Sequence, residues 1–193
     1  PSQAVADGLR DVRLRRHPRQ QFCQPGPHRL EQRAGSGLSV RPAHEYLFVV
    51  IASPVASYFG PQLRAITVAV ETSDVRATPG GTGAAKFAGN YAAGFAAHGR
   101  AGAAGHDQVL WLDAAEHRWV EELNAMNVVF VWDRDGRTVV STPPLTGTIL
   151  EGVTRDSVLT VTRDAIADGG ATGSAVAVDE VVVEPTSIEH LHA

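Results

Sequence analysis

An α+β fold, strand-rich with interspersed helices rather than a regular doubly wound sheet, is predicted by three features of the sequence. Short apolar, β-branched runs recur along the chain, at residues 46–51, 109–112 and 128–132, each of strand length. Asp133-Arg134-Asp135-Gly136 divides the last run from Thr138-Val139-Val140, and Asp-Gly supplies the positive φ angles of a tight antiparallel hairpin. Two segments have helical composition: alanine-rich residues 84–98, and the stretch after Thr154 that carries Val158, Leu159, Val161 and Ile166. Strands joined by both hairpins and helices make a mixed architecture.

Residues 1–40 hold seven arginines, several glutamines and prolines, and Leu9, Val12 and Leu14 as apolar positions without a sustained period. No independent core is expected there, and residues 41–193 are expected to carry the folded region. Residues 46–51 form a continuous apolar run that should be buried on both faces. Residues 64–70 favour a second strand, with Ile66, Val68 and Val70 on one side. Pro79-Gly80-Gly81 ends that region in a turn. The helix expected over 84–98 has small side chains suited to packing on a sheet, although Gly89 and Gly94 weaken it. A strand at 109–112 precedes one beginning at Trp119-Val120 and then the hairpin. Thr154 offers an N-cap oxygen to the last helix, which Gly169-Gly170 closes. A final strand over 175–183 leads into a tail expected to be exposed.

Composition bounds the function. With 193 residues, 44% hydrophobic and 20% charged, the chain has globular composition. A formal net charge of -4 gives no basic face for a phosphate backbone, so a nucleic-acid partner is not expected, and Arg13 to Arg19 reads as a solvated charge run. One cysteine, Cys23, precludes an internal disulfide framework. No apolar run approaches the roughly 20 residues that span a bilayer, and the N-terminus lacks a leader-like apolar segment; a cytoplasmic protein without a membrane partner is the expectation. His190 and His192 sit close together in the tail, and no metal site is expected from them.

Three places carry chemistry. The chain holds a single lysine, Lys86, inside Gly80-Gly81-Thr82-Gly83-Ala84-Ala85-Lys86-Phe87-Ala88-Gly89-Asn90-Tyr91. An amine sheltered among small apolar residues has its neutral, nucleophilic form favoured; the plain alternative is a surface lysine in an arginine-biased sequence. Gly152-Val153-Thr154 stands at a helix start, where backbone N–H groups and the helix dipole suit a phosphate; alternatively it only caps the helix. Glu121-Glu122 lies between apolar segments and calls for a cationic partner, such as a pyridinium nitrogen whose protonated ring draws off electrons; alternatively both side chains sit on a solvated strand end.

The lysine segment resembles that of the branched-chain amino acid aminotransferases, pyridoxal-phosphate enzymes of class IV with the D-amino-acid-aminotransferase-like fold. Further motifs resemble the family in its order: Asp107-Gln108-Val109-Leu110-Trp111-Leu112-Asp113, then Val120-Glu121-Glu122 with Met126-Asn127, then Thr142-Pro143-Pro144-Leu145-Thr146-Gly147-Thr148 running into Gly152-Val153-Thr154-Arg155-Asp156-Ser157. Upstream, Arg41-Pro42-Ala43 and Ser53-Pro54-Val55-Ala56-Ser57-Tyr58-Phe59 are similar too. The resemblance covers residues 38 to 168. It implies that Lys86 condenses with the cofactor aldehyde and then shuttles the proton, Tyr91 hydrogen-bonds the phenolic oxygen, Glu122 pairs with the pyridine nitrogen, and Val153 and Thr154 hold the phosphate. Tyr58 and Ala125 would line the substrate side. Implied with these are pyridoxal 5'-phosphate, exchange of amino groups between branched-chain amino acids and 2-oxoglutarate, and a homodimer. A remnant without catalysis, a D-amino-acid transaminase and an aminodeoxychorismate lyase are the alternatives. The sequence departs from the family before Arg41 and after Val183, has Asn124-Ala125 where the family has glycine-type residues, and has Glu151 where proline is usual; a truncated or frame-shifted product is the expectation that follows.

Overall fold

The computed structural model describes residues 30–32, 46–48, 54, 62, 64–169 and 177–191. Two compact units divide between Arg64 and Ala65; the boundary expected near residue 40 lies outside the described residues. In the first unit, β1 (Leu30–Gln32) pairs antiparallel with β2 (Tyr46–Phe48). The sequence reading foresaw β2 and missed β1, because three residues are too few for a period to show. Tyr58 and residues 49–51 are outside the described set.

The second unit is built from two β-α-β passages. In the first, β3 (Val68–Glu71) runs parallel to β4 (Gln108–Leu112). The crossover between them carries the lysine loop, α1 (Ala88–Ala93) and α2 (Phe95–Ala103). β5 (Val120–Leu123) then adds antiparallel to β4. In the second, β6 (Phe130–Arg134) and β7 (Arg137–Thr142) form the expected hairpin, turning at Asp135 (φ 54°) and Gly136 (φ 78°). α3 (Val153–Ala167) crosses to β8 (Glu180–Val183), parallel to β7.

β4 explains why its sequence is apolar without alternation. Val109 and Trp111 face one way, into a cluster with Ala97 and Ala101 of α2. Leu110 and Leu112 face the other, against Val120, Val68, Val70, Leu123, Val128, Phe130, Ile188 and Leu191. Successive side chains of a strand point to opposite faces, so a strand covered on both has no polar positions to spare.

Several expectations need correction. The single helix over 84–98 is two helices broken at Gly94, whose missing Cβ would lie 2.5 Å from Asn124 Oδ1 and 3.2 Å from a Trp111 ring carbon; residues 84–87 are not helical. The last helix is capped by Gly152, not Thr154, and no side chain caps it. The tail is docked rather than exposed: Trp119 bridges Ser187, Val120 N–H donates to Thr186 O at 2.8 Å, and the 3-10 turn Ile188–Leu191 seats on the second cluster. Among the described residues no helix is long and apolar enough to cross a membrane, and no group of metal-ligating side chains is found.

Candidate active site

Both crossovers leave the C-terminal ends of strands that have a parallel neighbour, where α/β units form their ligand crevices. The first supplies the lysine loop. Asn90, buried at the start of α1, latches it: Nδ2 donates to Thr82 O at 2.7 Å and to Ala85 O at 3.0 Å, while the Thr82 hydroxyl donates to Asn90 Oδ1 at 2.6 Å. The loop is also stitched to the turn that precedes α3. Ala84 N–H donates to Gly147 O at 3.1 Å, and a Cβ on Gly83 would lie 2.1 Å from Thr148 O. Only a residue without a side chain permits this approach.

Lys86 leaves this loop with its Nζ 5.1 Å from the centroid of the Tyr91 ring, a cation–π distance. Tyr91 is half-buried, whereas Lys86 is exposed. The expected shelter of the amine is therefore not found: the loop's small side chains are themselves mostly exposed and offer nothing tall enough to cover a long side chain.

Glu121 and Glu122 are 7% and 4% exposed, which rules out the solvated strand end. Burial pushes both carboxyls above the ordinary carboxylate range. For Glu121 the Thr148 hydroxyl and the Arg76 charge pull back. For Glu122, Arg76, the Leu150 N–H and the Lys86 charge pull back, and the neighbouring Glu121 adds to the rise. The cationic partner that the sequence called for is present within the chain: Arg76 Nη2 stands 2.9 Å from Glu122 Oε1. The other oxygen, Oε2, accepts from Asn127 Nδ2 at 3.2 Å and from Leu150 N–H at 3.3 Å. A carboxylate offers roughly four acceptor positions; the two hydrogen bonds fall on Oε2, and Oε1 meets Arg76 as an ion pair.

The N-terminus of α3 completes the arrangement. Gly152 has φ 52°, and a Cβ there would lie 2.0 Å from Asn127 Oδ1, so the side chain that holds Glu122 also sets where the helix begins. Val153 is 87% exposed and Thr154 is exposed, and the first-turn N–H groups of a helix have no partners within it. Buried Arg155 anchors this end to β7 through Thr142 Oγ1 at 3.3 Å and Pro143 O at 3.0 Å. Exposed Ala125 sits on the turn after β5, closed by Leu123 N–H to Met126 O at 2.9 Å.

Lys86, Tyr91, Glu122 and the Val153–Thr154 helix start thus share one linked framework, and Ala125 lies on the turn that leads to Asn127. Sequence reasoning gave no role to Arg76, Asn90, Asn127 or Thr148. Arg76 had a signal, since a buried acidic pair demands a cation and this arginine closely precedes the glycine-rich loop; the other three are polar residues whose partners are distant or backbone and leave no pattern.

Fold and site together define an α+β scaffold that brings a lysine loop, a buried carboxylate and an uncapped helix start into one assembly. The family model described as amino-transferase class IV matches residues 23–169. A probable branched-chain-amino-acid aminotransferase of Streptomyces coelicolor is 57% identical over 128 residues, 66% of this chain and 34% of that one. The branched-chain-amino-acid aminotransferase of Mycolicibacterium smegmatis is 50% identical over 129 residues, 67% of this chain and 35% of that one. Among solved structures, the branched-chain amino acid aminotransferase of Escherichia coli has a TM-score of 0.62 at 28% identity, covering 81% of this chain and 47% of that chain. A T.th. branched-chain amino acid aminotransferase, complexed with N-(5'-phosphopyridoxyl)-L-glutamate, has a TM-score of 0.51 at 32% identity, covering 66% of this chain and 37% of that chain. The chain belongs to the class IV amino-transferase family, whose members are pyridoxal-phosphate enzymes. It spans about a third of the length of these curated relatives.

Proposed function

We propose that this chain is the cofactor-lysine portion of a branched-chain amino acid aminotransferase, holding pyridoxal 5'-phosphate and serving exchange of amino groups between leucine, isoleucine or valine and 2-oxoglutarate. The observation that carries the reading is Glu122: a carboxylate 4% exposed, with acceptor capacity left on Oε1 beside its ion pair with Arg76 and its bonds from Asn127 and Leu150, and with the Lys86 charge acting on it. A protonated ring nitrogen fits that acceptor. The phosphate fits the uncapped start of α3, where the Val153 and Thr154 N–H groups and the Thr154 hydroxyl are the donors.

When bound, the cofactor supplies an electron-withdrawing ring that stabilises the carbanion formed at an amino acid's α-carbon. Lys86 is the amine that would engage the aldehyde and, once released, would accept the proton removed from the amino acid's α-carbon. Tyr91, whose ring centroid lies 5.1 Å from that amine, would donate its hydroxyl to the ring oxygen. Ala125 lies on the substrate side in this reading. The reading also includes a homodimer acting in the cytoplasm.

A second reading has specific support. Lys86 is exposed, which favours a chain that takes up cofactor without turning over. The two are separated by titrating the purified chain with pyridoxal phosphate and following visible absorbance, then offering leucine or aspartate with 2-oxoglutarate. Saturable absorbance with faster transfer from leucine supports the aminotransferase; absorbance without transfer supports the second reading. No saturable absorbance rejects both.

A further inference from the structure

We propose that Arg76 is the positioning residue for Glu122: one buried guanidinium grips the carboxylate and ties it to both loops of the candidate site. The inference rests on the reading of Glu122 as the carboxylate that meets the cofactor ring.

The geometry is specific. The Arg76 side chain is 5% exposed and Glu122 6%. Its Nη2 reaches three places: Glu122 Oε1 on β5 at 2.9 Å, Gly83 O in the lysine loop at 3.3 Å, and Thr148 O in the turn before α3. The lysine loop, the acidic strand and the approach to the phosphate helix therefore meet at one nitrogen. Arginine suits this because its planar head holds a fixed charge, with the Nη2 group donating to the Gly83 and Thr148 carbonyls while the charge holds Glu122; a lysine ammonium would follow its flexible stem.

Charge counting gives the second argument. Two adjacent carboxylates, Glu121 and Glu122, are buried, and the charged groups acting on Glu122 are Arg76 from the β3–α1 connection, Lys86 from the lysine loop and Glu121 from its own strand. Lys86 is exposed, so Arg76 is the buried cation that offsets the pair. Without it an ionised Glu122 would face a low-dielectric interior with only Asn127 and the Leu150 N–H, and protonation would be the cheaper state. A protonated Glu122 cannot accept from a ring N–H and hold its charge against it. Arg76 thus acts on the cofactor through Glu122, without touching it.

The test is a double-mutant cycle on the full chain with pyridoxal phosphate as the probe, using Arg76→Met, Arg76→Lys, Glu122→Gln and the Arg76→Met/Glu122→Gln pair. Affinity is read by absorbance titration, and the Glu122 carboxyl by carbon NMR against pH without cofactor. Arg76→Met should weaken binding by about tenfold or more, the scale of losing an outer partner of a ligand group. It should also raise the Glu122 midpoint, whereas in the Glu122→Gln background it should add less than about twofold. Arg76→Lys, which keeps the charge, should restore the midpoint in part while affinity stays reduced; it also serves if the methionine variant does not fold. Equal losses in both backgrounds would mark a purely structural role and overturn the proposal, as would an unmoved Glu122 midpoint. A wild-type chain that takes up no cofactor while the midpoint still responds to Arg76 defeats the reading of Glu122 instead, and with it the role of Arg76 toward the ring.

Discussion

Gly83→Ala is the substitution that most sharply probes how the lysine loop is held. A Cβ at this position would stand 2.1 Å from Thr148 O, 2.5 Å from its carbonyl carbon and 2.7 Å from its Cα. Ordinary contact is about 3.5 Å, so the loop and the turn must part by more than about 1 Å. The Ala84 N–H to Gly147 O bond, at 3.1 Å, would then stretch past hydrogen-bond reach. Forcing a methyl into a packed site costs about 1–3 kcal/mol, and a lost internal hydrogen bond adds about 1 kcal/mol. Against this, replacing glycine recovers at most about 1 kcal/mol from the unfolded state. The net expectation, with the full recovery counted, is a loss of about 1–3 kcal/mol in urea denaturation followed by circular dichroism. Gly99→Ala is the matched control: Gly99 lies inside α2 with nothing within 4 Å of its would-be Cβ, and the change should stabilise by about 0.5–1 kcal/mol. Should Gly83→Ala prove as stable as the parent, or gain as Gly99→Ala does, the close approach between the lysine loop and Thr148 is not there.

Two further outcomes are expected. Asn90→Ala removes the amide that bonds Thr82 O and Ala85 O and leaves the loop unlatched; a loss of about 2 kcal/mol in the same denaturation assay, with weaker uptake of pyridoxal phosphate, is the result, and unchanged values for both would remove the latch. Acid sensitivity should divide into two pH windows. Burial raises the Glu71 carboxyl, but the N–H groups of Asp74 and Ser73, the Ser73 hydroxyl and Arg100 outweigh it and bring the pKa from 4.5 down to about 2. A lowered carboxyl gives stability that is full above its unfolded pKa and is lost as pH falls toward the folded value, so Glu71 acts between about 4.5 and about 2. Glu121 and Glu122 are raised and act in the opposite sense above that window, the folded state gaining stability as acid protonates them. Urea midpoints should accordingly fall in the acid window for the parent and fall less for Glu71→Gln; parallel curves would contradict the assignment.

Much of the scaffold was legible because its cause is local. The Asp135-Gly136 turn, the two-faced apolar β4 and the Gly169 end of α3 each follow from residues within a few positions of one another. What was misread depends on contacts remote in sequence. Residues 84–98 have the composition of one helix, but Gly94 must let Asn124 and Trp111 approach, and Asn90 holds 82–85 as a loop. Thr154 looks like an N-cap by type, yet Gly152 takes that place because Asn127 leaves no room for a Cβ and the backbone turns to positive φ. Of the candidate site, Lys86, Tyr91, Glu122 and the start of α3 are singled out by residue type and family resemblance, while the framework that joins them leaves no such trace: Arg76 meets Glu122 and Thr148 far along the chain, and no periodicity encodes such a contact. The expected shelter of Lys86 failed for a related reason, since apolar neighbours in sequence say nothing of which side chains stand over an amine in space.

The single lysine makes the central claim open to one direct measurement. The chain is mixed with a stoichiometric amount of pyridoxal phosphate, reduced with borohydride, digested and mapped by mass spectrometry, with Lys86→Ala and Glu122→Gln in parallel. The expected result is one label per chain on the Lys86 peptide, absent from Lys86→Ala and sharply reduced in Glu122→Gln because the ring nitrogen has lost its carboxylate. Label found only on the N-terminal amine, or equal labelling of Lys86 with and without the Glu122 charge, would contradict a site built around that amine and that carboxylate.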